Sequence, residues 1–414
     1  MRRLSLAMAA GLVVALPLLL AADWPAFRGP RGNGWSDEKN VPTEWSREKN
    51  IQWKVKLPSS GNSSPIVVGN KVLVACAQEE GKKRGLYCFD RANGNLLWEQ
   101  VVDYGQADPT HNTNPYCSPT PASDGQRVVI WHGSAGLFCY DLDGKPLWKR
   151  DDLGEFRHIW GYAASPVIYK DRVIQNCAPG DKCFLAAFDL ATGRDLWRVD
   201  EPTGSKGATR GTWTTPIVVN LASEDQIVCF QPSRVVSYRP ASGEVIWFCK
   251  TENRKGDLAY SSPIISDGVC VAIGGYSGGG KAFKLGGSGD ITEGSELWYK
   301  PVNPQSIGTG IIIDGYVYIP DAGPGTIRCL DVKTGEEKWQ DRQAGTNWGS
   351  IVMAEGKAYV TNQSGATTVF RPNPEKFDLV AKNNLGEPCN ATPAISNGQI
   401  FIRTFEHLYC IAEK

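Results

Sequence analysis

Residues 188–197 read Phe-Asp-Leu-Ala-Thr-Gly-Arg-Asp-Leu-Trp, and variants of this stretch recur along the chain. Close copies occupy residues 89–98 and 330–339, a copy one residue shorter occupies 141–148, and a degenerate copy occupies 238–247. In the complete copies, the Asp side chain can accept hydrogen bonds from backbone amides two residues on, and the Gly permits a positive φ. The pattern therefore predicts a strand, a tight turn and a second strand that ends in Trp.

The tryptophan recurs at a nearly constant interval. Successive copies are separated by 45, 50, 49, 50, 51 and 41 residues. A period of about 40 to 50 residues with several short strands in each unit is typical of a β-propeller. The recurring residues are Trp53, Trp98, Trp148, Trp197, Trp247, Trp298 and Trp339.

A small or hydroxyl residue before Pro keeps the same period. Counting this marker with two copies that lack the Pro gives eight units, so we predict an all-β, eight-bladed propeller over residues 51–414. The marker occurs at Ser64-Pro65, Ser118-Pro119, Ser165-Pro166, Thr215-Pro216, Ser262-Pro263 and Thr392-Pro393, and without Pro at Thr309-Gly310 and Ser350-Ile351.

The two ends of the repeat region complement each other. Residues 51–57 alternate as a strand and carry a Trp in phase, but no strands of the same unit precede them. Residues 389–411 supply strands without a final Trp strand. We therefore expect the N-terminal strand to complete the last blade, which closes the ring and removes exposed sheet edges. Residues 23–50 form an irregular lead-in that we expect to lie across the propeller.

The first 22 residues are typical of a secretory signal peptide. Two arginines precede an apolar run over residues 4–20, and Ala21-Ala22 offers small residues for cleavage. An uncleaved anchor is the alternative, which the shortness of the run and its interruption by Pro17 disfavour. The first cysteine is Cys76, so no lipidation site lies near the cleavage point. We expect a periplasmic or secreted monomer with no membrane span in the mature chain.

Charge and cysteine content narrow the function classes. The formal net charge is zero, which gives no electrostatic reason to expect nucleic acid as a partner. Cys177 and Cys183 flank a Pro-Gly turn and are the best candidates for a disulfide among the twelve cysteines. Four others share the position before the repeat turn, where residue 187 is Ala, and this predicts small buried thiols rather than disulfides. They are Cys88, Cys139, Cys329 and Cys410.

The Asp-x-x-Thr-Gly-x-x-x-Trp pattern resembles the tryptophan-docking repeat of pyrroloquinoline-quinone (PQQ)-type propellers, and the resemblance covers residues 51–411. It implies that each repeated Trp is a structural docking residue wedged between neighbouring blades. The family has two branches, which are periplasmic quinoprotein dehydrogenases and non-catalytic propellers such as the BamB-like outer-membrane assembly proteins. The lead-in at residues 24–30 and the ending at residues 403–410 are similar to the secreted BamB-like group.

Features missing from the sequence favour the non-catalytic branch. Quinoprotein dehydrogenases typically carry two adjacent cysteines and an ion held by carboxylate and amide oxygens. No two cysteines are adjacent in this sequence, there is no Cys-x-x-Cys-His haem motif, and the four histidines lack metal-ligand spacing. We therefore expect no catalytic residues, no metal and no cofactor. The alternative is a dehydrogenase that oxidises alcohols or sugars with PQQ and Ca²⁺.

The segments that precede the Ser-Pro marker should converge on one face of the ring. They are rich in aromatic and polar residues, which protein interfaces enrich. We expect a binding or scaffold protein that uses this face for a protein or peptide partner in the cell envelope. A glycan or small molecule is a further alternative, and ordinary packing under the lead-in or at the channel mouth is the structural one. The candidate residues are His111, Asn114, Tyr116, His158, Trp160, Tyr162, Arg210, Trp213, Tyr260, Asn347, Trp348 and Asn390.

Overall fold

Eight antiparallel sheets of four strands surround a central channel, one of them extended by a fifth strand. The computed structural model describes residues 23–201, 209–221, 224–251, 257–276 and 278–413. The predicted all-β, eight-bladed propeller is confirmed. The signal peptide expected over residues 1–22 lies outside the described residues. Within them, no helix has both the length and the apolar character that a bilayer crossing requires.

Each blade is an antiparallel meander that starts at the channel and ends at the periphery. In blades 1 to 4 the strands are β2 (Ile66–Val68), β3 (Lys71–Gln78), β4 (Lys83–Asp90) and β5 (Leu96–Asp103); β6 (Ala122–Ser123), β7 (Arg127–Trp131), β8 (Leu137–Asp141) and β9 (Pro146–Arg150); β10 (Val167–Tyr169), β11 (Arg172–Cys177), β12 (Phe184–Asp189) and β13 (Asp195–Asp200); and β15 (Ile217–Leu221), β16 (Glu224–Gln231), β17 (Arg234–Tyr238) and β18 (Val245–Lys250).

Blades 5 to 8 repeat this arrangement. Their strands are β20 (Ile264–Ser266), β21 (Val269–Ile273), β22 (Gly280–Lys284) and β24 (Glu296–Lys300); β25 (Ile311–Ile313), β26 (Tyr316–Pro320), β27 (Ile327–Asp331) and β28 (Glu337–Asp341); β29 (Val352–Ala354), β30 (Lys357–Thr361), β31 (Ala366–Arg371) and β32 (Asp378–Asn384); and β33 (Ala394–Ser396), β34 (Gln399–Arg403), β35 (His407–Ile411) and β1 (Ile51–Lys56).

A few short elements stand outside the meanders. Strands β14 (Arg210–Thr212) and β19 (Asp257–Ala259) pair in parallel, and β23 (Gly289–Asp290) pairs in parallel with β18. One helical turn, α1, spans Thr292–Ser295, and 3₁₀ turns span Glu79–Gly81 and Gly133–Ala135.

The repeated tryptophans connect neighbouring blades. In six blades the indole Nε1–H donates to a carbonyl in the turn of the next blade. In five of these blades the acceptor is the residue after the first residue of the repeat turn. A bulge beside each Trp leaves the preceding residue unpaired, which increases the local twist of the outer strand. The pairs are Trp53 to Arg91 (2.7 Å), Trp98 to Leu142 (2.9 Å), Trp148 to Leu190 (2.9 Å), Trp197 to Pro240 (2.9 Å), Trp298 to Val332 (2.9 Å) and Trp339 to Asn373 (2.7 Å).

Trp247 is the exception, because blade 5 replaces the repeat turn with the insertion that contains β23 and α1. Its indole donates instead to Oε1 of Gln226 in its own blade, at 2.9 Å. The buried N–H is thus satisfied although the usual carbonyl is missing.

The turn glycine gives the Trp of the preceding blade room to pack. Gly193 has a φ of +73°, and a Cβ at this position would lie 2.6 Å from Cε3 of Trp148. In the same turn the Asp189 carboxylate accepts from the amide of Thr192 at 2.8 Å. The motif therefore encodes both the turn and the surface on which the indole of the preceding blade packs.

We predict that Gly193→Ala destabilises the propeller more than Gly356→Ala. Gly356 has a nearly equal φ of +71°, but a Cβ added there would have no other atom within 4 Å. Both substitutions cost about 1–2 kcal/mol for the left-handed backbone, and Gly193→Ala adds about 1–3 kcal/mol for the clash with Trp148. Chemical denaturation of the two variants measures the difference. Equal losses of stability would contradict the docking role of the glycine.

A closed ring of hydrogen bonds joins the eight blades at the channel. At the start of each innermost strand, the backbone N–H of a Ser or Thr donates to the hydroxyl oxygen of the equivalent residue in the next blade. The last blade donates back to the first, so the ring has no end. The N to Oγ distances are Ser64–Thr120 3.1 Å, Thr120–Ser165 2.9 Å, Ser165–Thr215 3.0 Å, Thr215–Ser262 3.2 Å, Ser262–Thr309 3.1 Å, Thr309–Ser350 3.0 Å, Ser350–Thr392 2.9 Å and Thr392–Ser64 2.9 Å.

The ring corrects one position of the sequence marker. Blade 2 contributes Thr120, which precedes Pro121, and not the predicted Ser118. The stretch Ser118-Pro119-Thr120-Pro121 contains the marker twice, and only the pairing with blades 1 and 3 distinguishes the copies. Ser118 lies two residues earlier, where its hydroxyl donates to the side chain of Asn114.

We predict that Thr215→Val destabilises the protein by about 1–3 kcal/mol, because the buried N–H of Ser165 loses its acceptor. Valine has nearly the shape of threonine, so packing changes little. Thr215→Ser keeps the hydroxyl and is the matched control. Thermal and urea denaturation compare the variants; a valine variant as stable as the serine variant would show that the ring bonds contribute nothing.

The lead-in crosses the face of the ring opposite the start of the innermost strands. Trp24 forms a β-bridge with Val67, with N to O distances of 2.9 and 3.0 Å. The buried Arg28 reaches across the channel, where its guanidinium donates to the carbonyl of Gly310 at 2.7 Å. This placement agrees with the expectation from sequence, and it closes one end of the channel.

Strand β1 pairs with β35 and completes blade 8, as the sequence predicted. Trp53 lies opposite Cys410 in this pair, and the other cysteines of the shared position lie opposite the Trp of their own blade. All twelve cysteines are buried, and none of them forms a disulfide. The best candidate pair, Cys177 and Cys183, is therefore not bridged: Cys177 is paired with Phe184 in register, and the Cys183 thiol donates to the carbonyl of Gly180 at 3.0 Å.

Candidate functional site at the mouth of the ring

A cavity of about 520 Å³ opens at the end of the channel where the innermost strands begin. Every blade contributes to its lining, and the eight ring hydroxyl residues belong to it. The chain is extended where it enters each innermost strand, so side chains at alternate positions face the channel. The residues two positions before the ring hydroxyls all line the cavity. In blade order they are Asn62, Ser118, Ala163, Trp213, Tyr260, Ile307, Trp348 and Asn390.

This second ring has an apolar side, formed by blades 4 to 7. The rings of Trp213 and Tyr260 pack edge to face with centroids 5.1 Å apart, and His158 packs edge to face behind Trp213 at 4.9 Å. Trp213 Nε1 donates to the carbonyl of Gly161 at 2.8 Å. Burial raises the pKa of the Tyr260 hydroxyl still further above neutral pH. The aromatic wall is thus fixed in orientation.

The polar side is formed by blades 8, 1 and 2, and its amides are held in a network. The side-chain amides of Asn62 and Asn390 both donate to the carbonyl of Thr113, each at 3.0 Å. Asn390 in turn accepts from Gln363 at 3.2 Å, and Asn114 donates to the carbonyl of Trp160 at 2.6 Å. The cavity therefore has amide groups on one wall and aromatic rings on the other.

Phe27 of the lead-in forms the floor. It lines the cavity together with the ring hydroxyls, although it comes from the segment on the opposite face. The adjacent Arg28 does not line the cavity, because its guanidinium is bound by the carbonyls of Asn33 and Gly310. The lead-in therefore lies beneath the cavity and contributes Phe27 to its lining.

Seven of the twelve candidate residues meet in this cavity. They are His111, Asn114, Trp160, Trp213, Tyr260, Trp348 and Asn390. His111 packs against Trp160 with centroids 4.9 Å apart.

The other five candidates lie outside the lining. Tyr162 and Asn347 stand three positions before the ring hydroxyl, so strand alternation turns them away from the channel. Arg210 forms an ion pair with Asp257 at 3.2 Å. His158 supports Trp213 from behind, and Tyr116 faces a separate pocket beside the 3₁₀ turn at residues 79–81.

Sequence reasoning missed several lining residues. Asn62, Ala163 and Ile307 each stand two positions before a ring hydroxyl residue. Applying strand alternation to the sequence marker would have identified them. Gln305 and Tyr276 come from loops whose course depends on tertiary structure. Phe27 carries no sequence signal, because only the path of the lead-in brings it to the channel.

The lining does not suit the cofactor of the dehydrogenase branch. PQQ is a tricarboxylate, and its Ca²⁺ requires oxygen ligands that normally include carboxylates. Among the described residues that line the cavity, none is acidic and none is Lys or Arg. An anionic quinone would lose its hydration there without gaining a counter-charge. The donor set therefore argues against PQQ with Ca²⁺ at this position.

A group of potential metal ligands lies elsewhere, beside the ring closure. Glu387, Glu406 and His407 place one ligand atom each within 4.8 Å of the others. Glu387 is already saturated, because its oxygens accept from Lys54 (3.0 Å), Tyr409 (2.6 Å), Thr404 and His407. Burial alone would raise the pKa of Glu387, but these hydrogen bonds lower it to about 2. The carboxylate thus ties β1 to β35.

We predict that Glu387→Gln lowers the melting temperature at pH 7 and that its deficit relative to the wild type narrows as the pH falls from 5 to 2. The folded-state pKa of about 2 lies below the unfolded value, so the stabilisation is complete above about pH 4.5 and disappears toward the folded pKa. The exposed Glu406→Gln is the control. A deficit independent of pH would contradict this assignment.

The fold and the mouth together define an eight-bladed propeller with a neutral pocket at one end of its channel. The chain belongs to the family described as outer membrane protein assembly factor BamB, whose sequence profile matches residues 82–341. It is 27% identical over 175 residues to the outer membrane protein assembly factor BamB of Alkalilimnicola ehrlichii. That alignment spans 41% of this chain and 40% of the relative, so it covers well under half of either protein.

Solved structures show the same fold at low sequence identity. BamB from Moraxella catarrhalis superposes with a TM-score of 0.61 at 15% identity, over 87% of this chain and 96% of that one. The quinohemoprotein alcohol dehydrogenase of Comamonas testosteroni gives a TM-score of 0.66 at 13% identity, over 95% of this chain and 81% of that one. Both solved structures share the propeller fold with this chain, and a shared fold does not by itself assign a function.

Proposed function

We propose that this chain is an exported, non-catalytic binding protein of the cell envelope and that a partner protein docks on the rim of the mouth. The observation that carries the proposal is the exposure of apolar side chains at this rim. Val302 is 75% exposed, Tyr276 67% and Ile159 51%. Val302 and Tyr276 are the two most exposed large hydrophobic residues in the described part of the chain.

The position of these residues supports docking rather than chance exposure. Ile159 adjoins Trp160, Tyr276 lies in the β21–β22 hairpin, and Val302 precedes the loop that carries Gln305. Tyr276 itself lines the cavity, and Ile159 and Val302 lie within three positions of the lining residues Trp160 and Gln305. Apolar residues around a concave aromatic surface are typical of protein interfaces, where a few such anchors supply most of the affinity.

Family membership supports the same function class. The family description and the relative's name both refer to outer-membrane protein assembly, which is a role among protein partners in the envelope. A cleaved leader at residues 1–22 would deliver the mature chain to that compartment. The dehydrogenase alternative has less support, since the described lining of the cavity includes none of the charged groups that PQQ and its ion require.

We predict that a photo-crosslinking amino acid in place of Tyr276 or Val302 forms a defined adduct in the envelope of the source cells. The same amino acid in place of Leu196, which is exposed at the opposite end of blade 3, is the matched control and should form none. Mass spectrometry identifies the partner of the adduct.

The purified partner should then bind the mature chain saturably, and Tyr276→Ser with Val302→Ser should weaken binding at least about tenfold. Equal cross-linking from Leu196, or no adduct from either rim position, would refute docking at the rim.

A further inference from the structure

The cavity below the rim presents polar groups that no protein atom uses. Within the described part of the chain, no hydrogen bond is made by the Trp348 indole, the Tyr260 hydroxyl, the Gln305 side-chain amide or Nε2 of His111. These groups come from blades 7, 5, 6 and 2 and therefore surround the pocket. Such groups at the wall of a fixed pocket are available to a ligand that can both donate and accept hydrogen bonds.

The floor offers the same kind of chemistry. Ring oxygens accept from the amide of the preceding blade, which leaves their hydroxyl protons to donate. In the residues the structure describes, Ser262 is the ring member whose hydroxyl also donates to a protein acceptor, the carbonyl of Thr215 at 2.8 Å. The remaining seven hydroxyl protons can donate to a ligand on the channel side.

Charge restricts the ligand to neutral molecules. The described lining contains no Asp, Glu, Lys or Arg; Arg28 lies outside this lining, and its Nη2 donates to the backbone carbonyls of Asn33 and Gly310. A carboxylate, a phosphate or an ammonium group would be desolvated here without compensation. The absence of charged groups from the described lining, which disfavours PQQ, therefore favours an uncharged ligand.

The backbone restricts the ligand to compact molecules. All eight amides at the start of the innermost strands are satisfied by the hydroxyl ring, so these amides cannot pair with an added peptide strand in the cavity. Phe27 closes the floor, which prevents an extended chain from passing through. The volume of about 520 Å³ falls within the range for small-molecule sites.

We propose that the cavity binds a neutral carbohydrate of one or two pyranose units. A pyranose carries hydroxyls that donate and accept, and it has an apolar C–H face. That face stacks on the aromatic wall at Trp213, Tyr260 and Trp348. Its hydroxyls bind Gln305, Asn390 and the hydroxyl ring. This site extends beyond the proposed docking function, because the rim residues do not need an occupied cavity to contact a protein.

The test is isothermal titration of the purified mature chain with cellobiose, maltose and N-acetylglucosamine. We expect at least one of these sugars to bind saturably with a dissociation constant of about 1 mM or tighter. Glucuronic acid, in which a carboxylate replaces the hydroxymethyl group of glucose, should bind at least about tenfold more weakly than glucose. Saturation by an uncharged capped tripeptide but by none of the sugars, or by no probe at about 20 mM, would overturn the proposal.

Two variants locate the binding. Trp348→Ala should weaken the best sugar about tenfold or more, and Gln305→Ala should weaken it about fivefold. Trp348→Phe, which retains an aromatic face, should recover most of the affinity. Leu196→Ala at the far end of blade 3 and Gln343→Ala on the exposed β28 turn are the matched controls and should bind as the wild type does.

Folding is checked separately, so that a loss of binding is not confused with a loss of structure. Each variant must melt cooperatively, and Gln305→Ala keeps the site testable if Trp348→Ala is unstable. Wild-type affinity in both Trp348→Ala and Gln305→Ala would place any bound sugar elsewhere. Sugar binding without a cross-linked adduct at the rim would support this site and refute only the docking proposal. A rim adduct without sugar binding would support docking and refute only the sugar site.

Discussion

The closed ring of eight amide-to-hydroxyl hydrogen bonds is the constraint on which the mouth of this propeller depends. Each bond fixes the radial position of one innermost strand against the next, and the return from Thr392 to Ser64 leaves no free end. Since the chain is extended at these points, fixing one residue also fixes the direction of the residue two positions earlier. The lining of the cavity is therefore set by the same bonds that hold the blades together.

The architecture could be predicted from sequence because its determinants are local and repeated. The Asp and Gly of each repeat encode a turn on which the Trp of the preceding blade packs, and the period of the repeat gives the number of blades. The prediction that Ser118 marks blade 2 was wrong, because a second copy of the marker, Thr120-Pro121, follows directly. Only the hydrogen bonds to blades 1 and 3 show that Thr120 is the ring residue. The site was harder to predict: Trp213 and Trp348 follow the alternation, whereas Phe27 depends on the path of an irregular segment.

The frame of this chain is shared with solved structures of differently named proteins, so its own chemistry must be sought in the mouth. Its lining combines an amide wall at Asn62 and Asn390 with an aromatic wall at Trp213 and Tyr260, and the described lining has no ionisable carboxylate. The same architecture in a quinohemoprotein dehydrogenase and in BamB shows how little the blades determine the ligand. The second position before each ring hydroxyl is where function can change without cost to the ring.

The pairing of β1 with β35 has a consequence for how the molecule is made. The closure brings together residues as distant as Gln52 and Ala412, which are 360 positions apart. Loop closure over such a distance is entropically costly, and non-local pairing folds slowly. The first strand of the propeller to be synthesised must therefore wait unpaired until the last one follows it. During that interval the growing stack of blades has an open edge, so synthesis of the C-terminal strand sets the earliest moment at which the protein can complete its fold.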